Sequence, residues 1–387
     1  MSIINSVLDT DLYKLSMQKA VLDYAPNTLA KYKFFNRRPE GKFTKVFEEK
    51  LDNELKNLET IGMTLQELQW LKINCPFLDE QYLTTLYNYT YNSDEVKFEV
   101  KDGELNLEIE GYWHTTILWE VQLMAIISEL YFKYCDTEWM YQKYGRVDTK
   151  LYKKCDLLKE CTWCDFGTRR RRSYILHDYI INLCKNKKGF MGTSNVHLAM
   201  KYNLKPIGTM AHEWIMGISA LEGLRHANKH ALKIWANIYK GNLGIALTDT
   251  FGSMSFFKDF NLELAKLYDG VRQDSGDPYV FGYMVIQHYK DLNIDPKTKT
   301  IIFSDSLTAE LAKDLHVTFN DKINVSFGIG TNLTNDFRDS PALNMVIKMV
   351  ECDRVPVVKL GDGNAKRMGS TDALKVADWT FFNQPIK

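Results

Sequence analysis

Apolar and polar residues alternate in three short stretches near the N-terminus. Ala30, Tyr32 and Phe34 mark the first; Val96, Phe98 and Val100, then Leu105, Leu107 and Ile109, lie on either side of Asp102-Gly103. A period of two predicts half-buried strands, and an Asp-Gly pair between two of them predicts a hairpin. Helix-period segments lie between, so residues 1–150 read as an α+β domain. From about Thr162 short apolar runs alternate with helix-length segments such as Leu221 to Tyr239 and Leu307 to Leu315. The runs end in small or acidic residues: Asp165-Phe166-Gly167, Gly192-Thr193-Ser194, Gly208-Thr209, Thr248-Asp249-Thr250, Arg272-Gln273-Asp274-Ser275, Ser304-Asp305-Ser306 and Gly328-Ile329-Gly330. Seven strand–helix units in a row predict parallel strands joined by crossovers. Polar ends spread evenly along the series favour a (β/α) barrel over an open doubly wound sheet, which gathers its site at one switch point. The expected class is therefore α/β, an irregular (β/α) barrel over 151–340 following the N-terminal α+β domain. In the remaining segment, 341–387, Met345 to Glu351 and Val355 to Leu360 predict a hairpin that packs back on the first domain.

Composition narrows the chemistry. With 387 residues, 45% hydrophobic, the chain can bury a sizeable core. Lys+Arg and Asp+Glu are both 49, so no global charge draws nucleic acid or an anionic membrane, and anion binding must be local. The start, MSIINSVLDTDLYK, lacks the basic and apolar regions of a secretory signal. Trp113 to Tyr134 is the most apolar stretch, but Glu120, Gln122 and Glu129 interrupt it, which predicts a buried amphipathic helix rather than a membrane span. Seven irregularly spaced cysteines suit reduced thiols in a cytoplasmic protein. Cys161 and Cys164 have no second pair and read as buried thiols.

Four segments carry candidate chemistry. The first, Asp165 to Ser173, contains Arg169, Arg170, Arg171 and Arg172 after a strand and before a helix pattern. Cations there repel one another and oppose the helix dipole, a conflict that an anionic ligand would resolve. The alternative leaves two or three of these arginines to solvent or to internal carboxylates. Second, Arg272 and Asp274 are two apart on a strand and point the same way. Third, Gly328-Ile329-Gly330-Thr331 offers backbone N–H groups and a hydroxyl to phosphate. Fourth, His212 follows a strand end and is a candidate base, nucleophile or metal ligand. Met216 stands where a zinc protease would need its second histidine. His226 and His230 are four apart, a possible metal pair without a third ligand.

Taken together, the segments resemble the nicotinate phosphoribosyltransferase family. The resemblance runs from LDTDLYKLSMQKAV at 8–21 through LWEVQLMAIISEL, DFGTRRR, GTSN, GTMAHEW, GIALTDT, RQDSGDP, IIFSDSL and SFGIGTNLT to NMVIKMVEC at 344–352. It implies a type II phosphoribosyltransferase-like fold, working as a homodimer with a site shared across the interface. It further implies ATP-stimulated transfer of a phosphoribosyl group from phosphoribosyl pyrophosphate to nicotinate, with Mg²⁺, in NAD salvage. By resemblance Asp11 and Tyr13 reach into the partner's site, and Phe166 stacks on the pyridine ring. Arg169 and Arg170 hold the carboxylate or phosphates, while Arg272 and Asp274 bind ribose and phosphate. Asp249 and Asp305 serve hydroxyls or magnesium, and Gly330 and Thr331 cradle the 5′-phosphate. Thr193, Ser194 and Thr209 join the substrate site, and His212 becomes a phosphohistidine at the expense of ATP.

No set of direct protein metal ligands is implied. Nicotinamide-using relatives carry Asp at the position of Ser194; its loss suits a carboxylate substrate, whose charge an Asp would repel. The pyridine nitrogen has a free lone pair, so no general base or nucleophilic triad is expected. The chain stops soon after Trp379, so no role is expected for a C-terminal extension. The competing readings are a nicotinamide or quinolinate phosphoribosyltransferase, a metal-dependent barrel hydrolase using His212, His226 and aspartates, and a non-catalytic anion or nucleic-acid binder.

Overall fold

Twelve strands in two sheets carry the fold in the computed structural model, which describes residues 2–37, 42–137, 145–363 and 366–382. In chain order the first six are β1 (Leu29–Asn36), β2 (Val96–Lys101), β3 (Glu104–Tyr112), β4 (Trp163–Asp165), β5 (Phe190–Thr193) and β6 (Lys205–Pro206). The rest are β7 (Ile245–Leu247), β8 (Gly270–Gln273), β9 (Thr300–Phe303), β10 (Asn324–Ile329), β11 (Met345–Cys352) and β12 (Val355–Pro356).

The first sheet is antiparallel, in the order β12-β11-β1-β3-β2. Ala30, Tyr32 and Phe34 turn inward along β1, as their alternation predicts. β2 and β3 pair from Val96↔Ile109 to Lys101↔Glu104. Asp102 and Gly103 join them with φ of 53° and 80°, the left-handed pair a two-residue hairpin turn requires. β11 lies beside β1 over seven paired positions, Ala30↔Cys352 to Asn36↔Met345, so the C-terminal segment completes the N-terminal sheet. β12 is shorter than its apolar run suggests. After Val357 the chain leaves this sheet, and the Leu360 N–H donates to Thr250 O beyond β7.

The second sheet is parallel, in the order β6-β5-β4-β10-β9-β8-β7. Its strands are followed by the seven polar ends read from the sequence, and their succession with intervening helices is the α/β architecture expected. Closure is incomplete, and the sheet forms a half-barrel. Its edge strands, β6 and β7, are consecutive in the chain, and a side chain bridges them: the Thr209 hydroxyl, just past β6, donates to Ile245 O at 3.2 Å.

The helix Leu12–Tyr24 packs against this edge. Ser16 Oγ donates to Thr209 O at 2.6 Å, and residues Leu12 to Val21 are all buried. The helix Trp119–Tyr134 is likewise buried at every position from Trp119 to Phe132, rather than on one face. It contacts both the 3₁₀ turn after β4 and β11, so its polar residues Glu120, Gln122 and Glu129 are buried along with the apolar ones. Among the described residues no helix is long and apolar enough to cross a membrane.

Candidate active site

The C-terminal ends of the parallel strands, the helix Leu12–Tyr24 and β11 enclose a cavity of about 490 Å³. Its base is built around Asp165, which is fully buried at the end of β4. The Asp165 carboxylate accepts from His177 Nε2 at 2.8 Å, Thr193 Oγ1 at 2.6 Å and Gly167 N at 2.9 Å. Those bonds fix the turn that presents Phe166. A Cβ at Gly328 would fall 2.3 Å from the Phe166 ring, so only glycine at the end of β10 lets the ring lie there. Thr193 is consumed in this support and does not line the cavity. Thr209 does not line it either, because its hydroxyl spans the open edge of the sheet.

Ser194 and Asp11 stand together: Ser194 Oγ donates to Asp11 Oδ1 at 2.7 Å, and burial pushes the Asp11 carboxyl above its usual range. Asp11 and Tyr13 therefore face the cavity of their own chain. Both line the cavity, and the helix that carries Tyr13 is buried from Leu12 to Val21. An acidic acceptor thus lies beside Ser194, supplied by Asp11 and engaged by the serine hydroxyl.

The four arginines divide two and two. Arg171 is inaccessible and forms a bidentate pair with Asp9, both N···O distances 2.7 Å. Arg172 donates to Asn335 Oδ1 at 2.7 Å and Ser340 Oγ at 2.8 Å, with Phe132 and Phe337 rings 3.5 and 4.3 Å away. Arg169 and Arg170 line the cavity. The run does not sit on a helix N-terminus. Thr168–Arg170 form a 3₁₀ turn, and the next helix begins at Tyr174 under a Ser173 cap that accepts from Leu176 N. The charge conflict is thus resolved by internal partners for Arg171 and Arg172.

Across the cavity, His212 opens the helix His212–Glu222. Its Nδ1 lies 3.1 Å from Thr250 Oγ1, and its Nε2 lies 2.9 Å from Asp274 Oδ2 and 2.7 Å from Lys359 Nζ. Asp249 sits behind this group, outside the cavity lining, accepting from Ser275 Oγ at 2.5 Å with Lys359 Nζ 3.3 Å away. Arg272 and Asp274 both face the cavity, as their spacing on β8 predicts. Asp305 is paired with Lys366 at 2.5 Å, and Gly330 and Thr331 complete the wall.

Ligand atoms of His212, Asp249 and Asp274 lie within 4.8 Å of one another, a spacing that would suit a metal. The Lys359 ammonium already stands among them. His226 does not join this group; it is exposed, paired with Asp259 at 3.1 Å, and lies outside the cavity. The barrel-hydrolase reading loses its second histidine.

Several cavity residues escape a reading based on strand ends. Lys348, Lys359 and Lys366 come from the C-terminal segment, and Arg37 and Glu120 from the N-terminal domain. For Lys348 in MVIKMV, Lys359 in VVKL and Glu120 in LWEVQL the sequence signal is a charge within an apolar run; Arg37 and Lys366 lack even that.

Burial, with Lys359 beside it, pushes the His212 imidazole down to about 4 against the opposing pull of Asp249 and Asp274. It is therefore neutral at neutral pH. Because its folded pKa lies below the ordinary 6.5, the unfolded chain takes up this proton first as pH falls. The stability His212 carries is complete above about 6.5 and is lost progressively toward about 4. Urea unfolding between about pH 7 and about pH 5 should show a smaller loss for His212→Gln than for the unaltered protein. Equal slopes would contradict the assignment.

The family model described as the nicotinate phosphoribosyltransferase N-terminal domain matches residues 8–128, and the one described as the nicotinate phosphoribosyltransferase family matches 161–385. The chain belongs to the nicotinate phosphoribosyltransferase family. A relative of that name from Methanosarcina acetivorans is 48% identical, over 97% of this chain and 98% of its own length. Another, from Chromohalobacter salexigens, is 43% identical over 97% of each. The crystal structure of nicotinate phosphoribosyltransferase from Porphyromonas gingivalis superposes with a TM-score of 0.93 at 35% identity, covering 98% of this chain and all of that one. Family membership accounts for the joint presence of DFGTRRR, AHEW and DSGDP around one cavity.

Proposed function

We propose that the chain transfers the phosphoribosyl group of phosphoribosyl pyrophosphate to nicotinate, releasing nicotinate mononucleotide and pyrophosphate for NAD salvage. One observation beyond family membership carries this reading. Arg37, Arg170 and Arg272 line a single cavity, and among the described residues none of them pairs with a carboxylate. Burial and Arg169 lower Arg170 to about 10, and Arg272 Nε is buried without a partner. Arg170 and Arg272 are half-buried and Arg37 is exposed; cations gathered in this way without a carboxylate repel one another, and a polyanionic ligand relieves that repulsion.

Phe166 and Tyr13 offer aromatic faces to the pyridine ring, and Arg169 a fork to its carboxylate. Arg272 meets the phosphates, and Gly330 and Thr331 the 5′-phosphate. Asp274 faces the ribose, where positive charge develops as pyrophosphate departs from the anomeric carbon. The pyridine nitrogen supplies its own lone pair, so the residues' work is to hold two anions in register and to favour the separated charge.

Asp274 and Asp305 are the cavity carboxylates that would hold Mg²⁺ arriving with the phosphates, a donor set of the kind this ion takes. When bound, magnesium would neutralise the leaving pyrophosphate. ATP would phosphorylate His212, whose neutral imidazole keeps a lone pair on one ring nitrogen; once released from its hydrogen-bond partner, that nitrogen would attack the γ-phosphorus as ADP leaves. Lys359 lies beside the charge thus created. Seven free thiols suit the cytoplasm, where we place the enzyme, as a homodimer by family likeness.

The test combines nicotinate, phosphoribosyl pyrophosphate and Mg²⁺, with and without ATP, beside a nicotinamide control. Nicotinate mononucleotide should form and should rise with ATP. His212→Ala should retain some transfer and lose the ATP effect. Product from nicotinamide alone would overturn the substrate, and full ATP stimulation in His212→Ala would overturn the phosphohistidine.

A further inference from the structure

Glu120 stands in the first turn of the helix Trp119–Tyr134, with a side chain 5% exposed. Three cations from three parts of the chain converge on it. Lys14 Nζ lies 2.7 Å from Oε2, while Arg169 Nη1 and Lys348 Nζ lie 3.3 and 3.4 Å from Oε1. Burial alone would raise the Glu120 carboxyl, but Lys14, Lys348 and Arg169 together hold it well below the usual carboxylate range.

These cations do not depend on Glu120 equally. Lys14 has a second carboxylate, Glu213, 2.5 Å away. Among the described residues, Arg169 and Lys348 have an ion pair with Glu120 alone. One guanidinium nitrogen of Arg169 is drawn toward Glu120, and its carbon lies 6.0 Å from the centre of the Tyr13 ring. A guanidinium has five N–H donors in a rigid plane, so anchoring one edge sets where the others point.

We propose that Glu120 is a positioning residue for the pyridine end of the cavity. It sets the direction of the Arg169 guanidinium and offsets the repulsion between Arg169 and Lys348, and it thereby governs affinity for the nicotinate carboxylate. The inference rests on the function proposed above and adds a residue from the N-terminal domain to the specificity apparatus.

The experiment compares Glu120→Gln, Arg169→Lys and the double variant, measuring nicotinate binding by calorimetry alongside turnover. Glu120→Gln keeps the side-chain shape and leaves Lys14 paired with Glu213. Its nicotinate affinity should fall roughly tenfold, the size of one charge-assisted hydrogen bond. In turnover the loss should appear in KM for nicotinate, with kcat within about twofold.

In the Arg169→Lys background Glu120→Gln should add little, because the two residues act through one contact. A merely structural role would instead lower the unfolding midpoint and weaken both substrates alike. Should Glu120→Gln not fold, Glu120→Asp retains the charge at a shorter reach and should show the same shift at smaller size. Turnover with unchanged nicotinate affinity, or an undiminished effect in the Arg169→Lys background, overturns the proposal. Absence of turnover with tenfold weaker nicotinate binding would sink the reaction and uphold the role of Glu120.

Discussion

Asp274→Asn is expected to lower kcat/KM for nicotinate mononucleotide formation by roughly 10²- to 10³-fold, the range found when one preorganised transition-state contact is removed. Burial tends to raise the Asp274 carboxyl, but the hydrogen bond from His212, with Arg272 and Lys359 nearby, holds it well below the usual range. Its negative charge is therefore present throughout the working pH. Ser304 Oγ lies 3.2 Å from Oδ1 and His212 Nε2 lies 2.9 Å from Oδ2, so a polar group stands at each carboxylate oxygen before substrate arrives. A carboxylate held in this way needs no reorganisation when the ribose becomes cationic. Asparagine fills the same space without the charge, so the loss should fall on kcat and, through the magnesium that Asp274 would help to hold, on KM for phosphoribosyl pyrophosphate, with KM for nicotinate little changed. Steady-state kinetics with both substrates varied would check this, beside a thermal melt to show an intact fold. A decrease below about threefold would remove Asp274 from the proposed mechanism.

The second large effect concerns stability and lies one turn away from the cavity. Arg171→Leu should cost about 3–5 kcal/mol, because it strands the Asp9 carboxylate in the interior. Asp9 is as inaccessible as its partner, and the remaining donor to it, Asn195 Nδ2 at 2.8 Å, is uncharged. Losing one member of a buried pair is worse than losing both. The double variant Asp9→Leu with Arg171→Leu should therefore recover a substantial part of the loss. Urea titration of the two variants is the measurement. A cost under about 1 kcal/mol, or a double variant no more stable than the single one, would show that the pair is not what stabilises this turn.

These two expectations concern residues that the sequence marks with similar emphasis. Asp274 belongs to RQDSGDP and Arg171 to DFGTRRRRS, and both segments were legible as strand ends rich in charge. The strands themselves were legible too, because a period of two and short apolar runs are local properties of the chain. The hairpin at Asp102-Gly103 followed from turn chemistry confined to two residues. The seven polar ends followed from the parallel topology, which requires that they share one side of the sheet.

The fates of the four arginines could not be read in the same way. Arg171 is settled by Asp9, and Arg172 by Asn335 and Ser340, partners 162 to 168 residues distant. Neighbouring positions with identical side chains thus serve opposite purposes, buried ion pairing for one and an open cavity for the next. Thr193 and Asp249 show the same limit. Each ends a strand beside the site, yet each faces a buried partner, Asp165 or Ser275.

Lys348 reaches the site because β11 is paired with β1, which brings it beside Glu120, and Lys359 does so because the chain then crosses to the end of β7. The sequence by itself determined the elements, their order and the family, since periodicity, turn chemistry and motif residues act over a few positions. The tertiary structure decided which charged side chains face the cavity and which support it. That choice depends on where the nearest opposite charge lies in space, and the nearest opposite charge is seldom a neighbour in the chain.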